Sequence, residues 1–246
     1  MNSLAGAQRY VCALVWLCLP YHNPPFQSMN KYIVSPISLA QVKAQDVPSL
    51  LDEAGIGFES IDNVNWAETF PYKPSVAFRM AYAGDNLLLN FQVTEDSVRA
   101  VAPSDNGRVW EDSCCEFFVS PVNDGTYYNI ECNCAGTLLV GFGSGREGRE
   151  HLPENALQQV DRWSSLGRLP FDERVGQCQW QMALVIPTSL FMHHPGLQLQ
   201  DANMRANFYK CGDKTQKPHF LSWNRIALPK PDFHCPAFFG EISFSR

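Results

Sequence analysis

The chain has 246 residues, 45% of them hydrophobic, and 19 Lys+Arg against 25 Asp+Glu give it a formal net charge of -6. That supplies a sizeable apolar core, and no basic block able to neutralise a phosphate backbone, which argues against nucleic acid as a partner. The apolar run at residues 11–19 (VCALVWLCL) is much shorter than the roughly 20 residues a bilayer-spanning helix needs, so membrane insertion is not expected.

That run follows a lone Arg9 and precedes Tyr21-His22-Asn23-Pro24-Pro25 rather than the small residues of a cleavage site. Two readings of residues 1–28 stay open. An export signal implies an extracellular or periplasmic protein, and a plain N-terminal extension implies a cytoplasmic one. A compact pattern starts at Met29, so residues 29–246 are expected to form one domain. Nine cysteines, including the adjacent Cys114 and Cys115, lack the even distribution of a disulfide framework. They read as buried reduced thiols.

Residues 29–51 look like an irregular lead-in, with a short helical turn at 49–54. Trp66 is a core candidate. Residues 75–82 (SVAFRMAY) and 86–94 (NLLLNFQVT) predict two strands joined through Ala83-Gly84-Asp85. A polar connection from Glu95 to Gly107 then delivers the chain to residues 108–136. There, two runs rich in aromatic, β-branched and Cys residues flank Ser120-Pro121-Val122-Asn123-Asp124-Gly125, a turn composition. Because strand side chains alternate faces, Cys115, Phe117 and Val119 oppose Cys114, Glu116 and Phe118. In the second strand Tyr128, Ile130, Cys132 and Cys134 oppose Asn129, Glu131 and Asn133. One face is core-like and the other carries carboxylates and amides beside Trp110.

Further strands are predicted at 137–142, 179–186 (ending at Pro187), 204–210, 220–226 and 239–244. Residues 143–150 read as a mobile Gly- and charge-rich connection, 155–163 as a short helix or loop, and 188–191 as a turn or short helix. Many strands with few helices define an all-β, antiparallel sandwich. On 204–210, Arg205, Asn207 and Tyr209 share a face, so the polar side recurs.

Trp110-Glu111-Asp112-Ser113-Cys114-Cys115-Glu116-Phe117-Phe118 resembles the W-E-D/Q-D-S-V-E-x-F signature of family 9 carbohydrate-binding modules. Three further stretches match in the same order: residues 127–137 (YYNIECNCAGT), Asn207-Phe208-Tyr209-Lys210 with Ser222-Trp223, and Phe233-His234-Cys235-Pro236-Ala237-Phe238-Phe239-Gly240. The resemblance implies a jelly-roll or immunoglobulin-like sandwich that binds xylan- or cellulose-derived sugars without catalysis. It places Trp110 and Phe233 as aromatic platforms and Glu116 as an acceptor for sugar hydroxyls, with Asn207 and Tyr209 beneath the sugar. Glu131 stands where the characterised modules carry an arginine. Relatives often hold a structural calcium, for which Asp62, Asp85 and Asp96 are candidates.

The residue chemistry suits a pyranose: flat rings for its C–H faces, Glu116 and Glu131 to accept, and Asn133, Asn207 and Tyr209 to donate or accept. Competing assignments remain. Trp110 and Phe233 can be packing residues, and Glu116 can pair with Arg205. Glu116 and Glu131 can be the acid and base of a glycoside hydrolase, although no Ser/His/Asp or Cys/His arrangement is recognisable. A sandwich that has lost its sugar and binds proteins is the third option. His193-His194, Cys211, His219, His234 and Cys235 show no zinc-site spacing.

Overall fold

The computed structural model describes residues 29–246, and the apolar run at 11–19 lies outside them. The chain begins with β1 (Lys31–Pro36), helix α1 (Val47–Glu53) and the short β2 (Glu59–Ser60) and β3 (Asn63–Val64). A long hairpin follows, β4 (Ser75–Ala83) with β5 (Asn86–Ala100), and then a second, β6 (Cys114–Ser120) with β7 (Tyr127–Asn133). Next come β8 (Leu138–Gly143), β9 (Glu150–His151), helix α2 (Glu154–Leu157), β10 (Asp161–Ser164) and the longest strand, β11 (Phe171–Pro187). The remaining strands are β12 (Asn203–Cys211), β13 (Phe220–Ser222) and β14 (Gly240–Phe244).

Two layers face each other. One runs β10-β11-β5-β4, the other β14-β12-β6-β7-β8-β9, with β1 joining them. Alternation along each strand decides what fills the space between. Phe78 and Met80 of β4, Leu89 and Phe91 of β5, and Trp180, Met182 and Leu184 of β11 meet Phe117, Val119, Tyr128, Ile130 and Phe208 of the opposite layer. At the centre the Phe208 ring stacks on Phe78 at 3.6 Å between centroids and on Phe117 at 4.9 Å. Burying one such side chain contributes roughly 1.5–3 kcal/mol.

Helix α1 covers the outer face of the first layer. Val47 and Leu51, one helical turn apart, pack on Ala81, Ala83, Leu88 and Ala183. Pro48 sits in the first turn, where its missing N–H removes no intrahelical bond. A third cluster lies outside the second layer, where Cys114, Phe118, Tyr127, Leu139, Tyr209 and Cys211 are covered by Trp66, Val109, Ile226, Phe233 and Phe239 from the loops.

The all-β sandwich predicted from the sequence is present, with three corrections. Residues 31–36 are a strand rather than lead-in, and β1 runs parallel to both β14 and β4, so the sheet is not purely antiparallel. Only Tyr32 and Val34 of β1 point into the core while Ile33 is 69% exposed, which blurs the alternation. Residues 95–100 continue β5 instead of opening a connection, and β11 starts at Phe171 to pair with them through two register shifts. Those shifts, and polar residues such as Glu95 and Ser97 on the buried side, break the period-two pattern. The strand expected over 220–226 is confined to β13.

Candidate functional site

The outer face of the β6–β7 hairpin is not open surface. It forms the floor of a cavity of about 470 Å³. Glu116 and Phe118 project from β6, Asn129 and Glu131 from β7, and Leu139 from β8. Trp110 reaches in from the single turn Val109–Glu111 just before β6, held in place by Asp213 N–H donating to its carbonyl at 3.2 Å. Phe233 and His234 close one side from the loop before β14, and Arg146 and Arg149 enter from the loop after β8.

Arg149 fixes that loop to the floor. Its Nε donates to Asn129 Oδ1 at 2.9 Å, its other nitrogens donate to the carbonyls of Gly145 and Tyr127, and its guanidinium lies 4.2 Å from the centre of the Tyr127 ring. Gly141, directly across from Asn129 on β8, makes room for this arrangement, since a Cβ there would lie 2.5 Å from Asn129 Oδ1. Asn129 Nδ2 in turn donates to Glu131 Oε1 at 2.8 Å. A guanidinium thus reaches Glu131 through one amide.

Glu116 and Glu131 stand opposite each other across the hairpin and are 3% and 4% exposed. Burial disfavours the charged form of both. It holds Glu116 well above the usual carboxylate range, with the Glu131 charge adding to the effect. Glu131 is pushed up to about 7, again by burial, against the pull of the Asn129 hydrogen bond and Arg149. Asp213 on the cavity wall rises to about 6 through burial and the nearby Glu111. At neutral pH the facing pair retains a proton, so the floor presents O–H donors as well as oxygen acceptors. Glu131 Oε2 is buried and has no hydrogen-bond partner among the described residues. Leaving such an atom unsatisfied costs on the order of 1–3 kcal/mol, which marks a position suited to a ligand donor.

Four of the residues singled out from the sequence, Trp110, Glu116, Glu131 and Phe233, line this one cavity. The other three do not. Asn133 is fully buried at the hairpin's end, where its Oδ1 accepts from the N–H groups of Ala135 and Thr137 and its Nδ2 donates to Asp112. Asn207 ties β12 to the following loop, its Nδ2 donating to the Asn224 carbonyl and its Oδ1 accepting from Asn224 N–H. Tyr209 lies behind Phe233, the rings stacked at 4.2 Å and 7°, with its hydroxyl donating to the Phe233 carbonyl at 3.1 Å. Phe233 therefore has one face occupied by Tyr209, and only the rest of the ring can meet a ligand.

Two further expectations are corrected. Arg205 donates to the Phe239 carbonyl and makes no ion pair with Glu116. Asp62 and Asp96 pair with Lys73 and Lys217, Asp85 is exposed, and the three do not converge, so they do not fit a calcium cage. Asn129 lies on the polar face the alternation assigns it to, whereas Arg146, Arg149 and Asp213 are lining residues that the sequence reading does not single out. For the two arginines the available signal is the charge content of residues 143–150, which by itself predicts a mobile connection, and nothing in the local pattern marks Asp213.

A two-layer sandwich with a covered, carboxyl-floored cavity on one outer face defines a ligand-binding β domain. A model of carbohydrate-binding family 9 matches residues 45–244, and the chain belongs to that family. Among solved structures, a Bacteroides uniformis protein proposed to bind carbohydrate is 52% identical, with a TM-score of 0.86 over 88% of this chain and 100% of its own. A family 9 module from Caldicellulosiruptor kristjanssonii, solved with cellotriose, shares the fold at 10% identity, with a TM-score of 0.55 over 88% of this chain and 94% of that one. The module from that organism solved with glucose gives 12% identity and a TM-score of 0.52 over 87% and 95%. Comparison with curated protein sequences finds no match.

Proposed function

We propose that this protein is a non-catalytic carbohydrate-binding domain whose cavity takes a short saccharide between Trp110 and Phe233, over the Glu116–Glu131 floor. The observation that carries this reading is the cavity itself. Its volume of about 470 Å³ falls within the roughly 300–1,000 Å³ of small-molecule sites, and its floor holds the unpartnered Glu131 Oε2. Sugar hydroxyls are donors and acceptors at once, which a buried carboxyl pair that retains a proton can match. The family 9 modules solved with cellotriose and glucose support a glucose-type chain as the ligand, and the proposal extends to xylan-derived chains and to a role in polysaccharide breakdown.

The geometry favours holding over cutting. A glycosidase needs its two carboxyls on either side of the scissile bond, whereas Glu116 and Glu131 are cross-strand neighbours standing side by side on one wall. Each hydrogen bond contributes only on the order of 1 kcal/mol net against water, so micromolar or weaker affinity is expected. Calorimetry with glucose, cellotriose and a xylo-oligosaccharide tests this. Trp110→Ala should abolish measurable heat, and binding that survives both Trp110→Ala and Glu116→Ala would overturn the site. Turnover of the oligosaccharide, lost in Glu116→Gln, would replace the reading with a hydrolase.

A further inference from the structure

Cys114, Glu116 and Cys211 converge at the inner end of the cavity. Cys114 and Glu116 are two residues apart on β6 and so share a face, and Cys211 of β12 is the cross-strand partner of Cys114. The two sulfurs and a carboxylate oxygen all lie within 4.8 Å of one another, with Cys211 Sγ 3.0 Å from Glu116 Oε1. All three residues are buried. Among the described residues no other three His, Cys, Asp or Glu side chains converge in this way.

We propose that Cys114, Cys211 and Glu116 form a three-ligand site for a thiophilic divalent cation, zinc in the first instance, with the fourth coordination position turned toward the cavity. Two thiolates and one carboxylate are a borderline-soft donor set, suited to zinc and unsuited to calcium or magnesium, which require mostly oxygen. A tetrahedral zinc with Zn–S bonds of about 2.3 Å places its sulfurs roughly 3.8 Å apart. Ligand atoms already within 4.8 Å reach that spacing by small side-chain rotations.

The charges around the cluster point the same way. Glu131 faces Glu116 across the hairpin, and its Oε2 has no partner. Lys210, next to Cys211 in the chain, is directed elsewhere: its Nζ is 3.0 Å from Glu95 and 2.8 Å from His219, and it donates to the Cys211 carbonyl. Arg149 is committed to Asn129 and the loop carbonyls. Among the described residues, the side chains of Cys114, Glu116, Glu131 and Cys211 thus gather with no cationic side chain hydrogen-bonded to them. Burial holds both thiols protonated on their own. Each ligand binds in its deprotonated form, so the incoming cation displaces the two thiol protons and any proton on the Glu116 carboxyl to solvent, and no electron is transferred. Glu116 and Cys211 line the cavity while Cys114 lies behind them, which leaves the open position accessible to water or a ligand oxygen.

Cobalt and zinc titration of the full chain tests the site, with protein purified under reductant and stripped with chelator. One equivalent of Co²⁺ should give a thiolate-to-metal charge-transfer band with tetrahedral visible bands, and Zn²⁺ should displace it. Cys114→Ser should lower zinc affinity by more than the roughly 10–100-fold that losing a supporting partner of a ligand costs. Saccharide binding, assayed on the chelator-stripped protein where Glu116 carries no metal, should persist in that variant, so this site and the sugar site can fail independently. Cys132→Ser, on the opposite hairpin face, should leave metal binding unchanged. If Cys114→Ser does not fold, zinc-dependent protection of Cys114 and Cys211 from alkylation in the wild-type chain, read by peptide mass spectrometry, decides instead. The absence of a saturable thiolate band, a band retained in Cys114→Ser, or no protection of that pair overturns the proposal.

Discussion

Along β6 and β7 every residue is buried, on both faces of the hairpin. The inner face sets Cys115, Phe117, Val119, Tyr128, Ile130 and Cys132 against the other layer of the sandwich. The outer face buries Glu116, Asn129, Glu131 and Asn133 among Cys114, Phe118 and Tyr127. The degree of burial is therefore the same, and what differs is how each buried atom is satisfied. Inner residues need only packing. Outer residues need partners, and Glu131 Oε2, a buried oxygen of this floor with none among the described residues, is at the cavity. The apolar face holds the layers together, which lets the opposite face carry buried carboxyls that would be unfavourable in a weaker framework.

The largest test of this contrast is Phe117→Ala. It removes the ring stacked on Phe208 and is expected to cost about 3–5 kcal/mol, read as a lower denaturant midpoint. An effect as small as that of a surface substitution would mean the inner face does not carry the fold. Glu131→Gln should give the next largest change, on the outer face. The folded-state value of Glu131 is raised to about 7 from an ordinary 4.5, so the folded chain keeps a proton that the unfolded chain has lost. Its contribution is fully present below the unfolded value and is lost as the pH rises through about 7; Glu116 has the same sign. The glutamine variant cannot ionise there. It should show a flatter decline of stability with pH and be more stable than wild type above pH 7, by on the order of 2 kcal/mol. An unchanged pH slope would show that the Glu131 carboxyl is solvated. Tyr209→Phe is the mildest change. Losing the hydroxyl bond to the Phe233 carbonyl should cost about 1 kcal/mol and weaken saccharide binding by loosening the Phe233 loop, whereas unaltered binding would separate Tyr209 from the site.

The alternation within residues 108–136 was legible because both strands are regular and uninterrupted, and it assigned every side chain of the hairpin to a face. It could not say which positions on the polar face the loops would leave open. Asn133 and Glu131 share that face, yet one amide is consumed by the turn that follows while the other carboxyl keeps a free oxygen. Asn207 and Tyr209 are hidden for a similar reason, since the 223–239 segment folds over the end of β12. Arg149 has no periodic context at all. Its place depends on the loop returning across Gly141, a tertiary contact that local pattern does not encode. The Cys114-Glu116-Cys211 cluster escaped a search for ligand spacing because its members meet through strand pairing, with β12 supplying Cys211 from a distant part of the chain.

The parallel pairing of β1 with β14 has a consequence for how this chain is made. Lys31 through Val34 find their hydrogen-bonding partners at Glu241 through Phe244, so during synthesis one of the first described strands leaves the ribosome nearly the whole domain ahead of the strand it needs. Only Ser35 and Pro36 have an earlier partner, in β4. Contacts of such sequence separation slow folding and leave edges exposed while they wait. The nascent chain therefore carries an unpaired β1 edge until residues 241–244 have been synthesised and can dock beside it.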